Sequence, residues 1–433
     1  MSLYTNSTTV THIIDPVYNR SNQRSVFHIP NDTSFSSNIR LGGFGAIANT
    51  ASTYLQGVGA LGVIDSIQLQ TQDGTVIDQI QNFQLYNSFK QYNTPNQKSK
   101  DNTSNYSKNH QGSYFGGITL KDVGGGELGQ KINNFSIDAD SKAVNTAENT
   151  TALGWISLHD CLNIFRVMPV INTGILKNLR LIVNYNNSLT DYIIDTANVP
   201  FTTAQPYMII DEVKGAMFPL QTVEFNSIEH DSINVPAVVP TATEITKVQN
   251  INAVLNGFRN KSVQRLLVCK SPQLLSTYQT TGVNMPFGKV ASVACHKETF
   301  QLSLNGNSLW TEGGITKENQ RLAVLNDAFS DCSTYPFLNG TPYIESDTLD
   351  RNLNIDIGND VISQLDFYGC FIQSEISDLK LFWSRTGIFV ENAGSNDITD
   401  TASVNQALTL NCFAEVLKVL SPTADGGFTV QYA

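Results

Sequence analysis

Residues 300–306 read Phe-Gln-Leu-Ser-Leu-Asn-Gly, and residues 67–74 read Ile-Gln-Leu-Gln-Thr-Gln-Asp-Gly. In both stretches alternating apolar residues run into a turn dipeptide. Phe300, Leu302 and Leu304 precede Asn305-Gly306; Ile67 and Leu69 precede Asp73-Gly74. A period of two places every second side chain on one face of a sheet. Asn-Gly and Asp-Gly supply the positive φ values that a tight hairpin needs. Downstream of each turn comes a similar strand, Leu179-Arg180-Leu181 in the first half and Leu379-Lys380-Leu381 in the second. The chain reads as two β-domains of related design in tandem, a layout that suits a building block better than an enzyme.

The composition agrees. A chain of 433 residues exceeds the roughly 250–300 residues at which single cores stop growing, so two domains are expected. Charged residues make up 15%, below the roughly 25% of an average soluble protein. Asn, Thr and Ser replace them, which favours strands and turns over helices. The net charge of −11 excludes a nucleic-acid binder that works by neutralising phosphates. No apolar run of 18 residues forms a membrane span, and the N-terminus has no secretory pattern.

Outward from the two hairpins, residues 1–25 are polar with little periodicity and are expected to be an arm that orders against a partner. Val26 to Ile29 starts the strands. Val76, Ile80 and Phe83 fit one helical face, so a short helix is expected after the first turn. Residues 93–113 are a long polar loop. Trp155, Leu158, Leu162 and Phe165 have a helical or loop-and-helix spacing. Strands are expected at Leu179 to Tyr185, Leu266 to Val268, Thr299 to Leu304, Leu365 to Ile372, Leu379 to Trp383 and Phe428 to Tyr432. Leu408 to Leu420 is apolar in both phases, the mark of a strand buried on both faces. The expected fold class is all-β, two tandem eight-stranded jelly rolls with short helices and long loops. The arm covers residues 1–25, the first roll 26–205 and the second 206–433.

Catalytic patterns are weak. Gly124-Gly125-Gly126 with Gly129 and Lys131 lacks phosphate-loop spacing, because Gln130 stands where Lys is needed. His159 and Cys161 flank Asp160, but residues this close along an element do not face each other as a dyad; Cys295-His296 is dismissed likewise. Asp122, Asp138 and Asp140 lack the calcium-loop arrangement. The six histidines show no metal-ligand spacing. Trp155, Trp310 and Trp383 fall in or beside strand or helix candidates and are read as core. No catalytic, cofactor or metal site is expected.

Four stretches together resemble the double jelly-roll major capsid proteins of the adenovirus-like lineage, especially those of virophages and polinton-like viruses. One runs from Val63-Ile64-Asp65-Ser66-Ile67 through Asp73-Gly74 to Ile77-Asp78-Gln79-Ile80. Another is Met168-Pro169 followed by Asn178-Leu179-Arg180-Leu181-Ile182-Val183. The third is Phe300 to Trp310, and the last Leu408 to Val419 followed by Gly426-Gly427-Phe428. The resemblance implies a homotrimer forming a pseudo-hexameric capsomer. It implies neighbouring capsomers, penton and minor capsid proteins as partners, and a place in an icosahedral virion. It leaves contact with an internal membrane open. The alternative is a virion attachment protein or lectin-like β-sandwich, which needs exposed aromatics or acidic cation sites at loop ends.

The six cysteines, Cys161, Cys269, Cys295, Cys332, Cys370 and Cys412, form no CxxC pair. They are expected as reduced thiols. Intact mass after alkylation without reductant should show six modified thiols in denaturant; even one native disulfide contradicts this.

Overall fold

The computed structural model describes residues 8–20, 23–42, 64–83, 85–86, 155–185, 206–214, 221–240, 246–273, 296–311, 313–329, 367–388, 406–423 and 427–433, and six two-residue strands between them. These residues gather into two compact units. One holds the described residues up to 228 and those from 417 to 433; the other holds those from 229 to 416.

The second set of strands shows the architecture most plainly. In chain order its eight strands are Val223–Val235, Thr246–Val254, Ser262–Pro272, His296–Leu304, Asn307–Ser308, Phe367–Glu375, Leu379–Ile388 and Leu408–Pro422. One sheet runs first-eighth-third-sixth and the other second-seventh-fourth-fifth. Strand one thus lies beside eight, two beside seven, three beside six and four beside five. That is a long hairpin rolled into two facing sheets, the jelly roll.

The first set repeats this order. Its strands are Thr8–Ile14, Arg24–His28, a third split into Ser34–Ser36 and Arg40–Gly42, then Ile64–Thr71 and Val76–Ile80. A sixth split into Trp155–Ser157 and Val170–Asn172 follows, then Leu179–Tyr185 and Tyr207–Lys214. The first pairs the eighth, the eighth pairs the third and the third pairs the sixth. The second pairs the seventh, the seventh the fourth and the fourth the fifth.

The register matches between the two rolls. Leu181 lies opposite Leu69 and Val183 opposite Ile67. Leu381 lies opposite Leu302 and Trp383 opposite Phe300. All eight side chains are at most 3% exposed. The equivalent inward pairs are therefore Ile67 and Leu69 in one roll, Phe300 and Leu302 in the other; Leu304 is only half-buried. Both turns join the fourth strand to the fifth. Asn305 and Gly306 both have positive φ, 51° and 86°, as a two-residue mirror-image turn requires. At Asp73-Gly74 only the glycine does, at 95°. There the loop is longer, closed by the Thr71 N–H donating to the Thr75 carbonyl at 3.0 Å.

Four expectations are corrected. The arm assigned to residues 1–25 contains the first strand of the first roll, Thr8–Ile14, paired along seven residues from Thr8 with Lys214 to Ile14 with Met208. Its Thr and Ile residues favour extended backbone, and an edge strand needs no strong apolar stripe. The boundary expected at 205/206 falls just before that roll's eighth strand, Tyr207–Lys214. Val76 to Ile80 is a strand and not a helix, because Ile80, Gln79, Asp78 and Val76 pair back onto residues 67–70; a short apolar run fits either period. Trp155 to Phe165 divides into a strand, a 3-10 turn at Leu158–Asp160 and a helix at Ile164–Val167. A helix at Glu318–Ala328, absent from the sequence reading, packs on the sixth strand of the second roll. Gly369 admits it: a Cβ there would stand 2.6 Å from Leu325 Cδ1 and 2.8 Å from the Phe329 ring. The loop at 93–113 lies outside the described residues.

Leu302→Ala should cost about 3 kcal/mol in urea unfolding, the usual cost of emptying a buried Leu site. Leu302→Asp should abolish soluble folded protein, because it buries an unpaired carboxylate. Asn307→Asp, in the exposed fifth strand, should stay within about 0.5 kcal/mol of wild type. A folded, stable Leu302→Asp protein would contradict the inward assignment.

Candidate assembly surfaces and a buried charge cluster

Among the described residues, the candidates for chemistry do not converge. The His159 ring nitrogen bonds Ser37 Oγ at 3.0 Å, while the Cys161 thiol donates to the Ser157 carbonyl at 3.6 Å. His296 lies in the fourth strand of the second roll, opposite Thr386. Among the described residues no group of three or more His, Cys, Asp or Glu could hold a metal ion. Cys161, Cys269, Cys370 and Cys412 are buried thiols, and burial pushes the Cys370 thiol up to about 12. Cys295, Cys332, Asp122, Asp138, Asp140 and the glycines 124–126 and 129 lie outside the described residues. Trp383 is buried and Trp310 packs at 5.7 Å from the Phe300 ring, so both fill the second core.

The sequence reading missed the buried charges. Asp78, on the fifth strand of the first roll, is 1% exposed. It accepts hydrogen bonds from the Ile164 N–H at 3.0 Å, the Ser227 hydroxyl at 2.8 Å and the Gln79 N–H at 2.9 Å. Lys418 Nζ, also buried, donates to Ser227 Oγ at 3.1 Å. The carboxylate thus joins three segments of the first unit directly and, through Ser227, a fourth at Lys418. Burial raises its pKa to about 6 against the pull of these donors and of Lys418. Asn163 Nδ2 donates to the Asn226 carbonyl at 2.6 Å beside it.

The second unit has its own set. Arg265 grips Glu415 through two bonds of 2.7 Å, donates to the Ala328 carbonyl at 3.0 Å and stacks 4.7 Å from the Phe329 ring. Lys270 meets Glu298 at 2.5 Å, and Tyr368 donates to the same carboxylate. Buried Arg385 donates to the Pro236 and Gln406 carbonyls and to Gln249 Oε1. These groups bond across strands and hold the sheets. The available signal was a charged residue inside an apolar run, as in Val76-Ile77-Asp78 and Val416-Leu417-Lys418-Val419-Leu420.

The strand order also sets where the long connections leave each roll. They follow the third strand (residues 43–63 and 273–295), the fifth (81–154 and 309–366) and the seventh (186–206 and 389–407). Strands alternate in direction, so connections after odd-numbered strands leave from one end. The opposite end is trimmed and self-bonded. Asn305 there accepts from the Ser377 and Asp378 N–H groups at 2.8 and 3.1 Å and donates to the Glu375 carbonyl at 3.0 Å.

No family model matches the sequence, and no curated protein matches it. Solved structures do. The capsid protein VP54 of the virus PBCV-1, as fitted into a reconstruction of the virophage Sputnik, gives a TM-score of 0.53 at 12% identity, covering 100% of this chain and 99% of that one. The mavirus major capsid protein gives 0.53 at 10%, covering 100% and 91%. A chain of the Sputnik virophage gives 0.51 at 11%, covering 100% and 90%. The chain has the double jelly-roll fold. In this double jelly-roll both rolls are spanned by the likeness, since the whole chain is covered.

The Asp78 pKa gives a signed prediction. A carboxyl raised from its ordinary value to about 6 makes the folded state hold the proton more tightly than the unfolded one. Its contribution to stability is fully present below the unfolded value and is lost as pH rises through about 6. The loss amounts to about 3 kcal/mol. Urea unfolding from pH 4 to 7.5 should show wild type losing about that much relative to Asp78→Asn. Parallel profiles would show that Asp78 does not titrate in this range.

Proposed function

We propose that this chain is a viral major capsid protein that trimerises into pseudo-hexameric capsomers and tiles an icosahedral shell. The observation that carries the reading is coverage: all of this chain, with both rolls, aligns with 91–99% of chains whose names are those of capsid proteins. A single roll embedded in a larger enzyme would not align end to end. Two rolls of matching strand order per chain also give a trimer six similar edges, which suits hexagonal tiling. Closed rings of identical chains reuse one heterologous contact.

The proposed partners are two further copies in the trimer, then neighbouring capsomers, penton and minor capsid proteins in the virion. The protein is not assigned an enzymatic role or sequence-specific nucleic-acid binding. The buried ion pairs serve the sheets, and the negative net charge opposes phosphate contact.

Light scattering of purified protein at micromolar concentration tests this. The expected mass is three times the chain's 47.5 kDa or a whole multiple of that, and negative-stain images should show hexagonal outlines. A monomer at that concentration, or particles without hexagonal shape, would overturn the reading.

A further inference from the structure

The two rolls differ at one edge. In the first, the second strand Arg24–His28 is covered on its outer side by a short strand, Tyr18–Arg20, with Tyr18 opposite Val26 and Arg20 opposite Arg24. In the second, the equivalent strand Thr246–Val254 ends its sheet, and among the described residues no strand pairs with its outer side. It is nine residues long, without proline, glycine or register shift. The sixth strand of the same roll, also at a sheet end, is covered by the helix Glu318–Ala328. An uncovered flat edge presents unpaired N–H and C=O groups and is a template for a further strand.

The pairing phase shows which groups those are. The Leu255 N–H donates to the Leu379 carbonyl at 2.9 Å. Antiparallel ladders alternate, so the inward-bonding residues continue at positions 253, 251, 249 and 247. Thr246, Val248, Asn250, Asn252 and Val254 turn their backbone groups outward, and all five are exposed, Val248 at 62%. The strand is held firmly from behind. Gln249 donates to the Pro236 carbonyl at 2.9 Å and accepts from Arg385 at the same distance.

We propose that this edge pairs with the same edge of a second copy of the chain, antiparallel about a twofold axis at Asn250. The sequence of the strand fits its own image. Asn250 falls opposite Asn250, Val248 opposite Asn252 and Thr246 opposite Val254. The one charged residue, Lys247, falls opposite Ala253, so no like charges meet. The outward groups then close about ten backbone hydrogen bonds, joining two four-stranded sheets. The contact is isologous and does not depend on the capsid reading.

Asn250→Pro tests it in the full chain. The ring removes one outward N–H and leaves the inward bonds in place. Sedimentation velocity at equal concentration should show the variant as its base oligomer alone and the wild type as two or more such oligomers joined, with the same circular dichroism spectrum for both. A one-chain base oligomer would pair to two chains, and a three-chain base, with three such edges, would grow to six or more; in either case the variant falls back to its own base oligomer, so the edge test succeeds or fails separately from the trimer test. Should Asn250→Pro not fold, Asn250→Lys places two cations opposite each other and should release the base oligomer as well. With Asn250→Cys, a short bismaleimide should give a covalent two-chain product above the wild-type background. Equal masses for wild type and both variants would overturn the proposal. Release of the base oligomer by the variants without the Cys cross-link would overturn it too, because the edge would then bind a different segment.

Discussion

The structure depends on the register between the fourth and seventh strands of each roll. Leu181 against Leu69 and Leu381 against Leu302 fix which face of each sheet points inward. A slip of one residue would send every inward side chain of those strands to the opposite face. In the second roll it would expose Phe300, Leu302, Leu381 and Trp383, all nearly fully buried. The turns at 73–74 and 305–306 help hold that register, since each closes the hairpin that begins at the fourth strand. Asn305 adds bonds to the turn between the sixth and seventh strands, so the seventh strand is tied to the fourth by its end as well as along its length.

Around these apolar faces the sheets carry buried charges at crossing points. A buried ion pair gives little net stability over an apolar pair, but removing one partner is costly. Asp78, Glu298, Arg265 and Arg385 each bond to two or more other segments. They act as selective fasteners: an alternative packing would leave a charge unpaired. Asp78 holds the short helix Ile164–Val167 and the strands beginning at Val223 and Leu408 together within the first unit.

The rolls share strand order but not surface treatment. The first roll caps its second strand with Tyr18–Arg20; the second roll leaves the longer Thr246–Val254 open and covers its sixth strand with a helix made possible by Gly369. A duplicated domain that must meet different neighbours needs different edges, and edges cost the core nothing to vary.

The sequence by itself determined the all-β class, the duplication and the central strands, because alternation and turn dipeptides are local signals with a short period. It placed Leu179 to Tyr185, Thr299 to Leu304 and the doubly apolar Leu408 to Leu420 correctly, the last being the strand Leu408–Pro422. Tertiary structure decided what long-range pairing decides. Thr8–Ile14 is a strand only because Tyr207–Lys214 lies beside it, and polar Thr-rich residues give no stripe to read. Val76–Ile80 is extended only because the hairpin folds it back, since its apolar spacing fits a helix equally well. The fasteners at Asp78 and Lys418 join residues 340 apart in sequence. No local pattern reaches that far, so only the fold brings their charges together.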